Sequence, residues 1–219
     1  MELKYKCVVA DHDDTAVDST RIIHYPIYVE LIDEMRPSYE MLTLDGFIEM
    51  NRNTGIKRHY VEDLEFTEKE WNYAFDFWLN HPLRKKIPDF YSGFLDMMQR
   101  FKEQGGIYTV VSHSDENSIR NHYNNSLDGV DILDMVIGAT GNPEFNKPNV
   151  WPLEQIMNKF SLYSEDIVVV DDLEPGIEMA EKMNVDTVGV GWSHQNSDKF
   201  KKRCKHYVEE VDDLEKILF

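Results

Sequence analysis

Twice in this chain a short apolar run, rich in β-branched residues, ends abruptly in a cluster of acids. Residues 5–10 (YKCVVA) lead into Asp11-His12-Asp13-Asp14, and residues 166–170 (DIVVV) lead into Asp171-Asp172. Runs this short, bounded by polar residues, read as strands buried on both faces. Residues 107–112 (IYTVVS) repeat the pattern and end in Ser112; residues 133–137 (LDMVI) are a weaker case and residues 186–191 (DTVGVG) a fifth. Helical spacing fills the intervals at 91–104, 115–125, 151–160 and 175–184. In the first of these Phe94, Leu95, Met98 and Phe101 share a face, and Gly105-Gly106 stops the helix. Strands alternating with helices predict an α/β fold with a parallel sheet covered on both faces. Right-handed crossovers then gather the C-terminal ends of the strands along one edge, where open α/β sheets bind ligands.

That edge would collect Asp11, Asp13, Asp14, Asp171 and Asp172. Two carboxylates about 4 Å apart repel by roughly 4 kcal/mol at an effective dielectric of 20. A cluster of five therefore needs a cation, and a hard ion such as Mg²⁺ is held by a few carboxylates, waters and phosphate oxygens. Acids that merely end strands at a solvated surface explain either cluster alone about as well. Two clusters after two apolar strands favour the metal. Phosphoryl transfer suits such a site, because it asks the protein mainly to neutralise charge. A carboxylate can act as nucleophile, and a second acid two residues on can serve as general acid–base. Ser112 ends its strand just before a helix, where a hydroxyl and free N–H groups suit a phosphate, although Ser112-His113-Ser114-Asp115 also reads as a capping stretch. Lys147, in the polar loop before Pro148, would be a surface charge if judged alone.

Residues 18–88 interrupt the alternation. They are rich in Glu, Met, Tyr and Trp, with amphipathic stretches near 20–35, 44–51 and 67–81 and no clear strand. This predicts a helical insertion in which Met50, Trp71, Phe75, Phe77 and Trp78 serve packing. Arg52, Lys57, Arg58 and His59 are candidates for binding a polar substrate, although a basic loop on an acidic chain is usually just solvated. Lys199, Lys201, Lys202, Arg203 and Lys205 read as a solvated helix face. The formal net charge of -18 argues against nucleic-acid or anionic-membrane partners, and implies local positive charge or a metal wherever phosphate binds. Two cysteines make no disulfide framework, and Cys7 reads as a small core residue. No segment approaches the roughly 20 apolar residues of a membrane span, and the N-terminus lacks a signal-peptide pattern, so a cytoplasmic location is expected.

The order of these features resembles the haloacid dehalogenase superfamily, whose four motifs lie on a Rossmann-like core. The D-x-D-x-T motif matches VVADHDDTAVDS at 8–19, and the strand ending in Ser or Thr matches YTVVS at 108–112. The motif lysine matches Lys147-Pro148, and the strand with paired acids matches VVVDDLEPGIEMA at 168–180. The resemblance implies a Rossmann-like core at 1–17 and 89–219, with a helical cap domain at 18–88 that gates the site and sets substrate choice. It implies that Asp11 is the nucleophile and a Mg²⁺ ligand, and that Asp13 is the general acid–base, its carbonyl also on the metal. Asp172 would be a further ligand, with Asp171 supporting it. Ser112, with His113 beside it, and Lys147 would bind the phosphoryl group.

Asp13 marks the phosphoryl-transfer side of the superfamily, since dehalogenases lack that acid. The implied activity is a Mg²⁺-dependent phosphatase acting on a small phosphorylated metabolite through an aspartyl-phosphate. A phosphomutase of the β-phosphoglucomutase type is the alternative, and a non-enzymatic phospho-acceptor switch a remote one. Asp14 stands where Gly is usual, in a turn that Asp tolerates. Leu173 stands where Ser is frequent. Gly176 replaces a frequent Asp, as in the branch resembling phosphoglycolate phosphatase and β-phosphoglucomutase. His24 sits one residue away from the mutases' cap histidine and reads more simply as a surface or packing residue.

Overall fold

The computed structural model describes residues 3–53, 55–127, 131–140, 142–194 and 196–219. Two compact units divide the chain, Met1–Asp18 with Asp89–Phe219 and, separately, Ser19–Pro88. Within the first unit, the Asp18 N–H bonds the Asp89 carbonyl at 3.0 Å.

Strand β1 (Cys7–Ala10) opens the chain. The second unit follows with α1 (Tyr25–Met35), α2 (Leu44–Asn53), the short α3 (Ile56–Arg58) and α4 (Glu68–Asn80). The first unit resumes with α5 (Phe94–Glu103), β2 (Ile107–Val111), α6 (Glu116–Ser126), β3 (Met135–Ile137) and α7 (Trp151–Phe160). It continues with β4 (Ile167–Asp171), α8 (Glu174–Lys182), β5 (Asp186–Val190), α9 (Asp198–Arg203), β6 (His206–Val208) and α10 (Val211–Leu218).

The six strands form one sheet in the order β3-β2-β1-β4-β5-β6. Every pairing is parallel. This is an α/β Rossmann-like fold, and the period-2 alternation of its strands builds two cores. Val8, Ala10, Val110, Val168 and Val170 pack with Phe94, Met97, Met98 and Phe101 of α5 and Leu214 and Leu218 of α10. Cys7, Val9, Val111, Ile167 and Val169 face Leu153 and Ile156 of α7 and Met179 and Ala180 of α8. Leu95, expected on the buried face of α5, is only partly buried; Met97 takes that place.

Beyond residue 191 the sequence is harder to read. The expected solvated helix is confined to Asp198–Arg203, buries Phe200, and is followed by the sixth strand. Two of its basic side chains are ion-paired rather than merely solvated: Arg203 reaches Glu174 and Glu181, and Lys201 reaches Glu209, while Lys199 and Lys202 are exposed.

The second unit packs its helices around Tyr28, Leu31, Ile32, Phe47, Met50, Tyr60, Leu64, Phe66 and Ala74. Helix α4 begins at a capping box, in which Thr67 and Glu70 satisfy each other's backbone N–H groups. Trp71 and Phe77 pack at the margin of this core as expected, whereas Phe75 is 49% exposed. His24 stacks on Trp78 at 5.9 Å between ring centroids, a packing role. His59 is a core histidine rather than a substrate-facing one: it is buried, and its ring reaches Asp63 at 2.9 Å and Tyr28 at 3.3 Å. Among the described residues, no helix is long and apolar enough to cross a membrane.

Candidate active site

Parallel pairing decides which residues meet. Ala10 of β1 is in register with Val110 of β2 on one side and Val170 of β4 on the other. The next residues along these three strands are Asp11, Val111 then Ser112, and Asp171. The Asp11 N–H continues the ladder onto the Val170 carbonyl at 2.8 Å. Asp11, Ser112, Asp171 and Asp172 are therefore neighbours at one edge of the sheet, and all four are buried.

Lys147 reaches this edge from the loop before α7 and is itself buried. Its Nζ lies 2.8 Å from Asp11 Oδ1 and 2.7 Å from Asp171 Oδ2. The loop is held by two further side chains: His113 Nε2 lies 3.0 Å from the Lys147 carbonyl, and Lys182 Nζ donates to the Pro148 carbonyl at 2.9 Å. The His113 ring thus fixes the lysine's backbone, an arrangement its position beside Ser112 did not indicate. Burial acts to lower the Lys147 pKa, but Asp11 and Asp171 outweigh it and hold the ammonium charged well above the ordinary lysine value.

Asp13, two residues beyond Asp11, has its carboxylate fixed by serines. Ser114 Oγ donates to Asp13 Oδ2 at 2.6 Å, and Ser112 Oγ approaches the same oxygen at 3.4 Å. The cap of α6 falls to Asp115, which accepts from the Ser118 N–H at 2.9 Å, so both serines face the site rather than the helix. Asp14 has φ of 59°, the left-handed conformation in which the chain turns after the strand.

Besides the Ser114–Asp13 bond, three contacts escaped sequence reasoning. Thr15 Oγ1 donates to Asp172 Oδ1 at 2.8 Å, which gives the threonine of the D-x-D-x-T string a physical role. Trp192 Nε1 donates to the Thr15 carbonyl at 3.0 Å, bracing that turn from the loop after β5. His194, in the same loop, places Nε2 3.7 Å from Asp172 Oδ2. Only the threonine carried a signal, since it belongs to a recognisable string; Ser114, Trp192 and His194 are joined to the site by folding alone.

Ligand atoms from Asp11, Asp171 and Asp172 lie within 4.8 Å of one another. Burial pushes Asp171 up to about 6 despite Lys147, and Asp11 adds to the rise. Burial also raises Asp172 well above the carboxylate range, with Asp171, Asp11 and Asp14 adding repulsion. Asp172 Oδ2 is buried with no hydrogen-bond partner. Buried acids that repel one another, one carrying an orphaned oxygen, fit a divalent cation as their missing partner. Gly176, at the start of α8, is required beside them: a Cβ there would fall 1.9 Å from Asp171 Oδ2.

The family model for haloacid dehalogenase-like hydrolases matches residues 8–190. The chain belongs to that hydrolase family. Over 129 residues it is 27% identical to pyrophosphatase PpaX of Halalkalibacterium halodurans, an alignment covering 59% of this chain and 59% of that relative. Its fold is similar to that of a predicted phosphoglycolate phosphatase from Haemophilus somnus, with 20% identity, 98% of each chain covered and a TM-score of 0.77. A predicted phosphatase from Clostridium acetobutylicum is likewise similar, with 18% identity, 97% of each chain covered and a TM-score of 0.75.

Proposed function

We propose that the chain is a Mg²⁺-dependent phosphatase that hydrolyses a small phosphorylated metabolite through a phosphoryl-Asp11 intermediate. The observation that carries this reading is the placement of Lys147 Nζ within 2.8 Å of Asp11, beside two further buried acids and with Asp13 held by Ser114. The names of the similar proteins, a pyrophosphatase and predicted phosphatases, point the same way.

In this reading an Asp11 carboxylate oxygen attacks phosphorus, and the bond to the leaving-group oxygen breaks. Asp13, in its protonated form, gives that oxygen a proton. Asp13 then takes a proton from water, the water oxygen attacks phosphorus, and inorganic phosphate departs with the Asp11 carboxylate regenerated. Ser112 and Lys147 hold the phosphoryl oxygens, and Lys147 also offsets the charge of Asp11 during attack. His113 is a positioning residue for Lys147. Asp11, Asp171, Asp172 and the Asp13 carbonyl would hold Mg²⁺, which would supply charge neutralisation between nucleophile and phosphate. Residues 1–17 and 89–219 are the catalytic core of this proposal, and residues 18–88 its helical cap.

The test is phosphate release from an aryl phosphate, followed by a screen of phosphorylated metabolites for both phosphate release and isomerisation. Asp11→Asn is expected to lose activity by orders of magnitude while remaining folded. EDTA should abolish wild-type turnover and Mg²⁺ restore it. Wild-type turnover in a folded Asp11→Asn protein would refute the nucleophile assignment; turnover unaffected by EDTA would refute the metal.

A further inference from the structure

The Asp172 carboxylate faces two ways. Its Oδ1 accepts from Thr15 at 2.8 Å, while Oδ2 is buried and lacks a hydrogen-bond partner. The residue is 1% exposed, so a buried carboxylate oxygen is left to be satisfied from within the fold. Oδ2 lies 3.7 Å from His194 Nε2, beyond hydrogen-bond reach. Asp14 supplies a second carboxylate, and ligand atoms from Asp14, Asp172 and His194 all lie within 4.8 Å of one another. Two donors each about 2.1 Å from a tetrahedral ion stand about 3.4 Å apart, so only a small inward movement separates this triangle from a coordination shell. His194 Nδ1 lies 2.8 Å from Ser193 Oγ, which orients the ring with Nε2 toward Asp172.

The donor set differs from that of Asp11, Asp171 and Asp172. Mg²⁺ takes oxygen ligands and sheds water reluctantly, whereas imidazole suits first-row transition ions. We propose that Asp14, Asp172 and His194 form a second divalent-metal site, sharing Asp172 with the first, that takes a transition ion of the Mn²⁺, Co²⁺ or Zn²⁺ type in preference to Mg²⁺. The left-handed turn at Asp14 and the loop after β5 bring the two outer ligands to Asp172 from opposite ends of the sequence.

The experiment is a Co²⁺ titration of the full chain, first stripped with EDTA and then held in saturating Mg²⁺ to fill the first site. Visible absorption and equilibrium dialysis read binding directly, so the outcome is independent of whether the protein is a phosphatase. About one Co²⁺ per chain is expected to remain bound against Mg²⁺. His194→Gln and Asp14→Asn should each weaken it at least about tenfold, since loss of a direct ligand costs no less than loss of an outer-shell partner. Asp11→Asn should leave it bound. No Co²⁺ retained against Mg²⁺ would overturn the proposal and leave His194 as an ion-pair partner of the acids. So would a Co²⁺ that survives His194→Gln but is lost in Asp11→Asn, which belongs to the first site. Far-UV circular dichroism confirms folding, and Asp14→Asn decides alone if His194→Gln does not fold.

Discussion

Lys147→Met tests the electrostatic argument most directly, because methionine keeps much of the length of the chain and removes only the ammonium. At 2.7 Å and 2.8 Å from two carboxylates, each contact has a gross Coulomb attraction of about 6 kcal/mol at an effective dielectric of 20. Desolvation of the buried ammonium offsets much of this, and breaking a buried pair by removing one partner has a net cost of about 3–5 kcal/mol. The pH dependence follows from two groups. The Lys147 pKa is raised in the folded protein, so its contribution is complete below the unfolded value and is lost only at strongly alkaline pH. Asp171 is raised to about 6, so its folded form holds a proton that the unfolded chain releases near 3.9, and stability from that group falls as pH rises through 6. Removing Lys147 removes what restrains Asp171, and its carboxyl rises further. The destabilisation by Lys147→Met should therefore be about 3–5 kcal/mol at pH 8, and smaller at pH 5, below the raised Asp171 value, where that carboxyl is mostly neutral with or without the lysine. Urea unfolding in EDTA at the two pH values measures both. A loss below about 1 kcal/mol at pH 8, or one of equal size at both pH values, would refute the reasoning.

The same acids link metal to pH. Asp171 and Asp172 both have raised pKa values, so without metal their contribution to stability is lost as pH rises, and a cation binds only their charged forms. Mg²⁺ at about 100 times its Kd should stabilise by about 2.7 kcal/mol at pH 7.5 and much less at pH 5; equal shifts in melting temperature at both would count against the site. Gly176→Ala should cost about 1–3 kcal/mol in stability and lower kcat/KM, because the new methyl must displace Asp171 Oδ2, now 1.9 Å from its position. A denaturation midpoint and kcat/KM equal to wild type would show that Asp171 can yield without consequence.

Much of the core was legible along the chain because its information is local. Strands buried on both faces must be short and apolar, as VVA at 8–10 and IVVV at 167–170 are. Acids placed after such strands must arrive at one edge once the sheet is parallel. The helices of the second unit were likewise readable from spacing, although the burial of His59 and the exposure of Phe75 were not. Periodicity reports which face of a helix is apolar on average and says nothing of which neighbour meets it. Strand β6 was missed because His206–Val208 is brief and only its last residue is buried, so it has little apolar signature of its own.

The amino-acid order alone therefore determined the parallel core, the acids at its edge and the turn that Asp14 tolerates, since each depends on a handful of adjacent residues. Tertiary structure decided the rest. Ser114 meets Asp13 across 101 positions, Thr15 meets Asp172 across 157, and Trp192 braces Thr15 across 177. Hydrogen bonds and metal shells are set by distances of a few ångströms between atoms, and linear spacing carries no such distance until the sheet has closed.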